Sequence, residues 1–177
     1  GLGDVYKRQV PVSQANRPVI VGFGPAGMFA ALVLAKAGLR PIVLERGKCV
    51  EQRQEDVANF RKTGVLCTDS NVQFGEGGAG TFSDGKLTTG IKDPRIRFVL
   101  QSFVECGAPE EILYLAKPHI GTDKLVHVVR EMRKIIQRYG GEILFQAHME
   151  KLVQKNGKLT AVQYQKDGKT IEILTSY

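Results

Sequence analysis

Short apolar runs alternate with helical periodicity at the start of the chain. Residues 18–23 contain a β-branched apolar run that predicts a buried strand. Residues 26–37 are rich in alanine and leucine, which predicts a helix, and residues 41–44 predict a second strand. The pattern therefore predicts a β-α-β unit over residues 18–45.

The middle of the chain carries further helical patterns, separated by a long unpatterned stretch. Apolar residues recur at helical spacing over 50–62, 93–107 and 122–140. The last two predict a helical segment over 93–140. The stretch 64–91 has no periodicity of either kind, and loops of that length are usually functional.

The last part of the chain reads as consecutive strands. Two hairpin signals, Asn156-Gly157 and Asp167-Gly168, separate short β-like runs. The predicted strands cover residues 142–146, 150–154, 159–165 and 170–174. The sequence thus predicts an α/β fold in which the β-α-β opening gives way to an antiparallel β-meander over 142–177.

Composition excludes several classes of protein. The chain is 42% hydrophobic, which supplies a globular core, and its net charge of +7 comes from basic residues scattered among acids. That pattern does not favour a nucleic-acid partner. Three widely spaced cysteines without a Cys-x-x-Cys pair argue against a disulfide framework and a metal site. The polar start and the lack of a long apolar run predict a cytoplasmic protein without a membrane partner.

The two ends of the chain also shape the prediction. Residues 1–9, GLGDVYKRQ, share no pattern with the rest, and we expect them to be a non-native, adapter-like scar. The last residues, IEILTSY, stop within a β-like run. We therefore expect residues 10–177 to be the incomplete N-terminal part of a longer protein.

A G-x-G-x-x-G motif lies between the first predicted strand and helix. Gly22 allows a tight turn, Gly24 allows a pyrophosphate to approach the backbone, and Gly27 allows close packing of helix on strand. Glu45 ends the second strand, where a carboxylate can accept both hydroxyls of an adenosine ribose. The motif predicts a dinucleotide whose ribose is unphosphorylated.

A second glycine-rich segment runs from Gly75 to Lys86. Free backbone N–H groups in such a loop can bind a phosphate or the polar edge of a flavin. Lys86 could place a positive charge near a reduced flavin. The segment is not a P-loop, because Leu87 follows Lys86. A flexible surface lid is the alternative interpretation.

Two stretches carry a family resemblance. Residues 17–47, RPVIVGFGPAGMFAALVLAKAGLRPIVLERG, resemble the opening of glutathione-reductase-like flavoproteins. NVQFGEGGAGTFSDGKLTTGIKDPRI and EEILYLAKPHIGTDKL resemble a bacterial family of FAD-dependent dehydrogenases of uncharacterised substrate, and the resemblance extends over 17–173. The resemblance implies a partial Rossmann-like FAD-binding domain followed by the meander.

The resemblance also implies roles for individual residues. It places the FAD pyrophosphate on Gly22, Gly24, Pro25, Ala26 and Gly27. It places the adenosine end near Glu45, Arg46 and Met149. It implies that the stretch 64–91 is a flavin loop, with contacts from Gly77, Gly78, Ala79, Gly80, Thr81, Ser83 and Lys86.

These expectations define a function and its alternatives. The full-length protein is expected to be a FAD-dependent oxidoreductase with NAD(P)H as a candidate electron donor, and this fragment alone is expected to be inactive. The substrate, the catalytic residues and the oligomeric state are left open. One alternative is a FAD-binding RNA-modifying protein. Another is a conventional NAD-dependent dehydrogenase, which should lack the second glycine-rich loop and should keep a parallel sheet.

Overall fold

The computed structural model describes residues 17–177, so the predicted scar at 1–9 lies outside the described residues. A parallel sheet of three strands forms the centre of the fold. Its order is β1 (Val19–Val21), β2 (Ile42–Glu45) and β3 (Glu142–Phe145), with β2 in the middle. Every residue of β2 is buried, as a strand with neighbours on both sides should be.

Four α-helices surround or flank this sheet. They are α1 (Pro25–Lys36), α2 (Val50–Thr63), α3 (Arg95–Glu105) and α4 (Thr122–Arg138). Helix α4 has the strongest apolar stripe, and its buried face packs with α1 and β3. Each large aliphatic side chain buried there contributes about 1.5–3 kcal/mol. This packing fixes the N-terminus of α1 relative to α4.

The segment between α2 and α3 is irregular but held in place. It contains one short 3-10 helix, Ala79–Phe82, and a second one, Glu110–Leu113, follows α3. Backbone hydrogen bonds join Leu87 to Pro118 and Ile120 to Gly85. The two sequence stretches that carry the dehydrogenase resemblance therefore pair with each other.

The last three strands form a separate antiparallel sheet. Its order is β4 (His148–Lys155), β5 (Lys158–Lys166) and β6 (Lys169–Leu174). Both predicted hairpin turns are present, and their four central residues all have positive φ, as a type I′ turn requires. The predicted α/β fold with a C-terminal antiparallel sheet is confirmed. The prediction was wrong for the first of the four meander strands, because residues 142–145 pair in parallel with β2 and complete the central sheet as β3.

A small second core joins the meander to the parallel sheet. Leu44 of β2 packs with Ala147, Val162 and Tyr164 in this cluster. After β6 the chain returns to the parallel sheet, where Tyr177 O accepts a hydrogen bond from Val19 N at 3.1 Å. Within residues 17–177, the helices are too short or too polar to cross a bilayer.

Candidate dinucleotide-binding site

The first glycine-rich turn leads from β1 directly into α1. Gly22 has a positive φ of 90°, and its N–H donates to Leu44 O at 2.8 Å. A Cβ placed on Gly27 would lie only 2.0 Å from Gly22 O. Any side chain at Gly27 would therefore push the helix away from the turn.

The surface of this turn is open. A Cβ placed on Gly24 would have no atom within 4 Å outside its chain neighbours, and both Pro25 and Ala26 are exposed. The first helical hydrogen bond is donated by Met28 to Gly24, so the N–H groups of Ala26 and Gly27 precede the helical ladder. An anion placed here would meet free N–H groups and the positive end of the helix dipole.

Glu45 is buried at the end of β2 and already holds two backbone groups. Its Oε2 accepts the N–H of Phe23 at 2.6 Å, and its Oε1 accepts the N–H of Gly47 at 2.7 Å. An ionised carboxylate offers about four lone-pair sites, so acceptor capacity remains for a ribose. The ribose contact stays a prediction, and the structure adds a role in shaping the turn.

The other two residues assigned to the adenosine end are also engaged. Arg46 forms an ion pair with Asp69 at 3.2 Å and lies 5.2 Å from the centre of the Phe74 ring. Met149 lies on β4 and packs against the second core. The segment before β4 reaches the end of β2, because Ala147 N donates to Glu45 O at 3.0 Å.

The second glycine-rich segment packs on the first. Gly77 N donates to Phe23 O at 2.8 Å. A Cβ placed on Gly78 would lie 3.1 Å from Pro25 Cδ and 3.4 Å from Gly24 Cα. The structure thus brings together two loops that are more than 40 residues apart in the sequence. On the side of the second loop, a side chain at Gly78 would crowd Pro25.

An apolar pocket of about 240 Å³ opens beside this contact. Helix α4 supplies Val128 and Met132, and α1 supplies Met28 and Phe29. The candidate residues that line it are Pro25, Gly77, Gly80, Thr81, Ser83 and Lys86. Such a largely apolar cleft with a few polar groups has the character of a small-molecule site.

The hydroxyl groups in this loop are used within the loop itself. Thr81 Oγ1 donates to Glu76 O at 3.3 Å, and Ser83 Oγ donates to Gly80 O at 2.7 Å. Ala79 begins the 3-10 helix and is exposed. These contacts set the shape of the loop.

Lys86 projects from this loop into solvent. Its side chain is 71% exposed and pairs with Asp84, with 2.7 Å between Nζ and Oδ2. The hydrogen bond from Lys86 to Asp84 raises the pKa of the lysine. A contact between this ammonium and a flavin therefore remains a prediction, and it would require Lys86 to leave Asp84.

A buried charged network under the loop was missed by sequence reasoning. Arg53 is fully buried and donates to three backbone oxygens, those of Asn71, Val72 and Glu76, at 2.7–2.8 Å. Glu76 is also fully buried and pairs with Arg133 at 2.9 Å. One signal was available, because Arg53 lies at helical spacing from Val50 and Val57 on the apolar side of α2.

Sequence comparison finds a longer relative of this chain. No protein-family model matches the chain. An uncharacterized protein from Clostridium beijerinckii is 58% identical over 146 residues, which is 82% of this chain and 27% of that relative. The chain therefore spans about a quarter of the relative it matches.

Three solved structures share the fold at low sequence identity. THI4 from Thermovibrio ammonificans matches with a TM-score of 0.57 and 17% identity, over 93% of this chain and 56% of that one. The 3-ketosteroid-delta4-(5alpha)-dehydrogenase from Rhodococcus jostii gives 0.56 and 14%, over 96% and 45%. Glycerol-3-phosphate dehydrogenase from Bacillus halodurans, solved in complex with FAD, gives 0.53 and 15%, over 98% and 34%. The chain has the Rossmann-like fold of FAD-binding domains.

Proposed function

We propose that the chain is the FAD-binding, N-terminal part of a longer flavin-dependent oxidoreductase. The observation that carries the proposal is the contact between the two glycine-rich loops, in which Gly78 packs on Pro25 and Gly77 bonds to Phe23. The length of the C. beijerinckii relative supports a longer protein, and the likeness to a FAD-complexed dehydrogenase supports the cofactor.

The arrangement fits an extended dinucleotide. The open N-terminus of α1, where Ala26 is exposed and a Cβ on Gly24 would meet open space, would hold the pyrophosphate. Glu45 at the end of β2, together with Arg46 and Met149, would hold the adenosine. The loop from Gly77 to Lys86 would hold the flavin beside the apolar pocket.

The chemistry divides between cofactor and protein. Bound FAD would supply electron or hydride transfer to a substrate whose identity the proposal leaves open. The residues of this chain would bind and orient it: free N–H groups of α1 neutralise the pyrophosphate, and the apolar pocket keeps water from one side of the ring. NAD(P)H as electron donor remains a prediction without a specific contact to support it.

The two alternative functions gain no specific support. Several basic residues of α4 are paired with acids, Lys134 with Glu131 and Arg133 with Glu51 and Glu76, which weakens the case for an RNA surface along this helix. A conventional NAD-dependent dehydrogenase was expected to keep a parallel sheet throughout, whereas strands β4 to β6 are antiparallel.

A matched pair of glycine substitutions tests the proposal. Gly24→Val places a branched side chain where the pyrophosphate would lie, yet within the protein it meets open space on an extended backbone. We expect FAD affinity to fall at least a hundredfold, which is about 2.7 kcal/mol or more. Gly90→Val is the control, since Gly90 also faces open space and lies outside the segment from Gly77 to Lys86 that would hold the flavin.

FAD is titrated into each variant and followed by flavin fluorescence, with circular dichroism to check folding and NAD⁺ as a competing ligand. The proposal predicts loss of binding for Gly24→Val alone and no competition by NAD⁺. Equal FAD affinity in Gly24→Val, Gly90→Val and the unsubstituted protein, called the parent below, would overturn the proposal.

A further inference from the structure

Glu76 is the buried centre of the second glycine-rich loop. Its side chain has no exposed surface, and its backbone N–H donates to Lys48 O at 3.1 Å. Its carbonyl oxygen accepts from both Arg53 and Thr81. On one side of it Gly75 packs against Gly47, and on the other Gly77 N donates a hydrogen bond to Phe23 O. The position of Glu76 therefore decides where this loop lies.

The carboxylate of Glu76 is only half satisfied. Its Oε2 accepts from the N–H of Val50 at 2.7 Å and from Arg133 Nη1 at 2.9 Å. Among residues 17–177, no partner reaches its Oε1, which is also buried. A buried ionised oxygen without a partner is costly, and protonation lowers that cost because it removes the negative charge.

The charges that face Glu76 come from three elements. Arg133 approaches from α4, Arg53 and Glu51 from α2, and Glu45 from β2. Burial raises the pKa of Glu76 to about 7, helped by the like charges of Glu51 and Glu45 and opposed by Arg133 and the Val50 N–H. The desolvation of the carboxylate exceeds the attraction of its cationic partner.

We propose that Glu76 is the positioning residue of the second glycine-rich loop, and that its protonated form holds the loop packed and favours the FAD-bound state. The proposal rests on the function proposed above. Ionised Glu76 gains by moving into water, and it would draw Gly77 and Gly78 away from the first turn. The packed conformation of the loop is therefore the one in which Glu76 is protonated.

The negative charge of FAD would also favour the protonated form of Glu76. The pyrophosphate of FAD would lie at Gly24 and Pro25, the residues on which Gly78 packs. Its negative charge opposes ionisation of the nearby Glu76. FAD binding and proton uptake by Glu76 are therefore coupled, and affinity should fall as the pH rises through 7.

FAD dissociation constants between pH 6 and pH 8.5 test this coupling in the protein, Glu76→Gln and Glu55→Gln. Glu55 is an exposed carboxylate on the same helix as Arg53 and serves as the control. The parent protein and Glu55→Gln should bind FAD about tenfold more weakly at pH 8.5 than at pH 6. Glu76→Gln imitates the protonated carboxyl, and it should bind equally well across the range.

Two outcomes overturn the proposal. One is a Glu76→Gln protein that keeps the pH dependence of the parent, and the other is one that loses affinity at every pH, as a purely structural ion pair would predict. Hydrogen exchange of the Gly77 amide, measured without FAD, tests the role of Glu76 independently of the proposed FAD binding. Its protection should fall above pH 7 in the parent only, whether or not FAD binds; pH-independent protection in the parent would contradict the role of Glu76.

Discussion

The carboxylate of Glu45 accepts a hydrogen bond from the backbone N–H of Phe23, with 2.6 Å between Oε2 and N. Its second oxygen accepts from Gly47 N. The end of β2 is thereby tied to the glycine-rich turn that follows β1. The same carboxylate that a ribose would use also shapes the turn that a pyrophosphate would use.

This relationship predicts a stability defect for Glu45→Ala in the absence of any cofactor. The substitution leaves two buried backbone donors without their acceptor, which should lower the free energy of unfolding by on the order of 2–4 kcal/mol. Urea denaturation measures the loss. Glu142→Ala is the control, because the Glu142 side chain is about half exposed where it pairs with Arg17, and its loss should cost less than about 1 kcal/mol. Equal losses in the two variants would show that Glu45 does not brace the turn.

The two ends of the glycine motif should respond differently to alanine. Gly27→Ala drives a methyl group to 2.0 Å from Gly22 O, so helix and turn must separate. Overpacking of this kind costs about 1–3 kcal/mol or more. Gly24→Ala meets open space and should leave stability unchanged or slightly increased. Thermal melts of both variants check this, and a stable Gly27→Ala protein would contradict the packing described here.

The regular elements were predictable because their signals are local. The β-branched run of β1, the alanine-rich α1 and the two hairpin turns each depend on neighbours in the sequence. Helix α1 begins at Pro25, one residue before the predicted start, and ends at Lys36. Such differences arise at helix ends, where capping geometry and not periodicity decides the boundary.

The shape of the stretch 64–91 could not be predicted in the same way. It is held by Arg53, which donates to the carbonyl oxygens of Asn71, Val72 and Glu76, and by the buried pair of Glu76 and Arg133. These contacts join residues far apart in the sequence and leave no periodic pattern. The glycine content indicated that something packs closely there, and in the structure Gly78 packs on the turn at Gly24 and Pro25.

Glu76 should also make the stability of the cofactor-free protein depend on pH. Its pKa is raised from 4.5 to about 7 in the folded state, so the unfolded chain releases this proton first as the pH rises. The stabilisation from protonated Glu76 is therefore fully present below about pH 4.5 and is lost as the pH rises through 7, by on the order of 3 kcal/mol. Glu76→Gln removes this dependence.

Urea midpoints of the parent and Glu76→Gln, taken from pH 4.5 to pH 8, check the sign. The variant should gain stability relative to the parent as the pH rises, because only the parent must bury an ionised carboxylate. Parallel curves would mean that Glu76 does not titrate in this range.

FAD binding is tested most directly by the cofactor that the longer protein, of which we propose this chain to be the N-terminal part, retains when it is purified without added cofactor. The absorption spectrum and the chromatographic identity of the acid-released compound give both its nature and its amount. We expect the bands of an oxidised flavin and FAD approaching one molecule per polypeptide, because we propose that the two glycine-rich loops, which contact each other, hold one FAD. A protein that carries no flavin, and that takes up none when FAD is supplied, would contradict it.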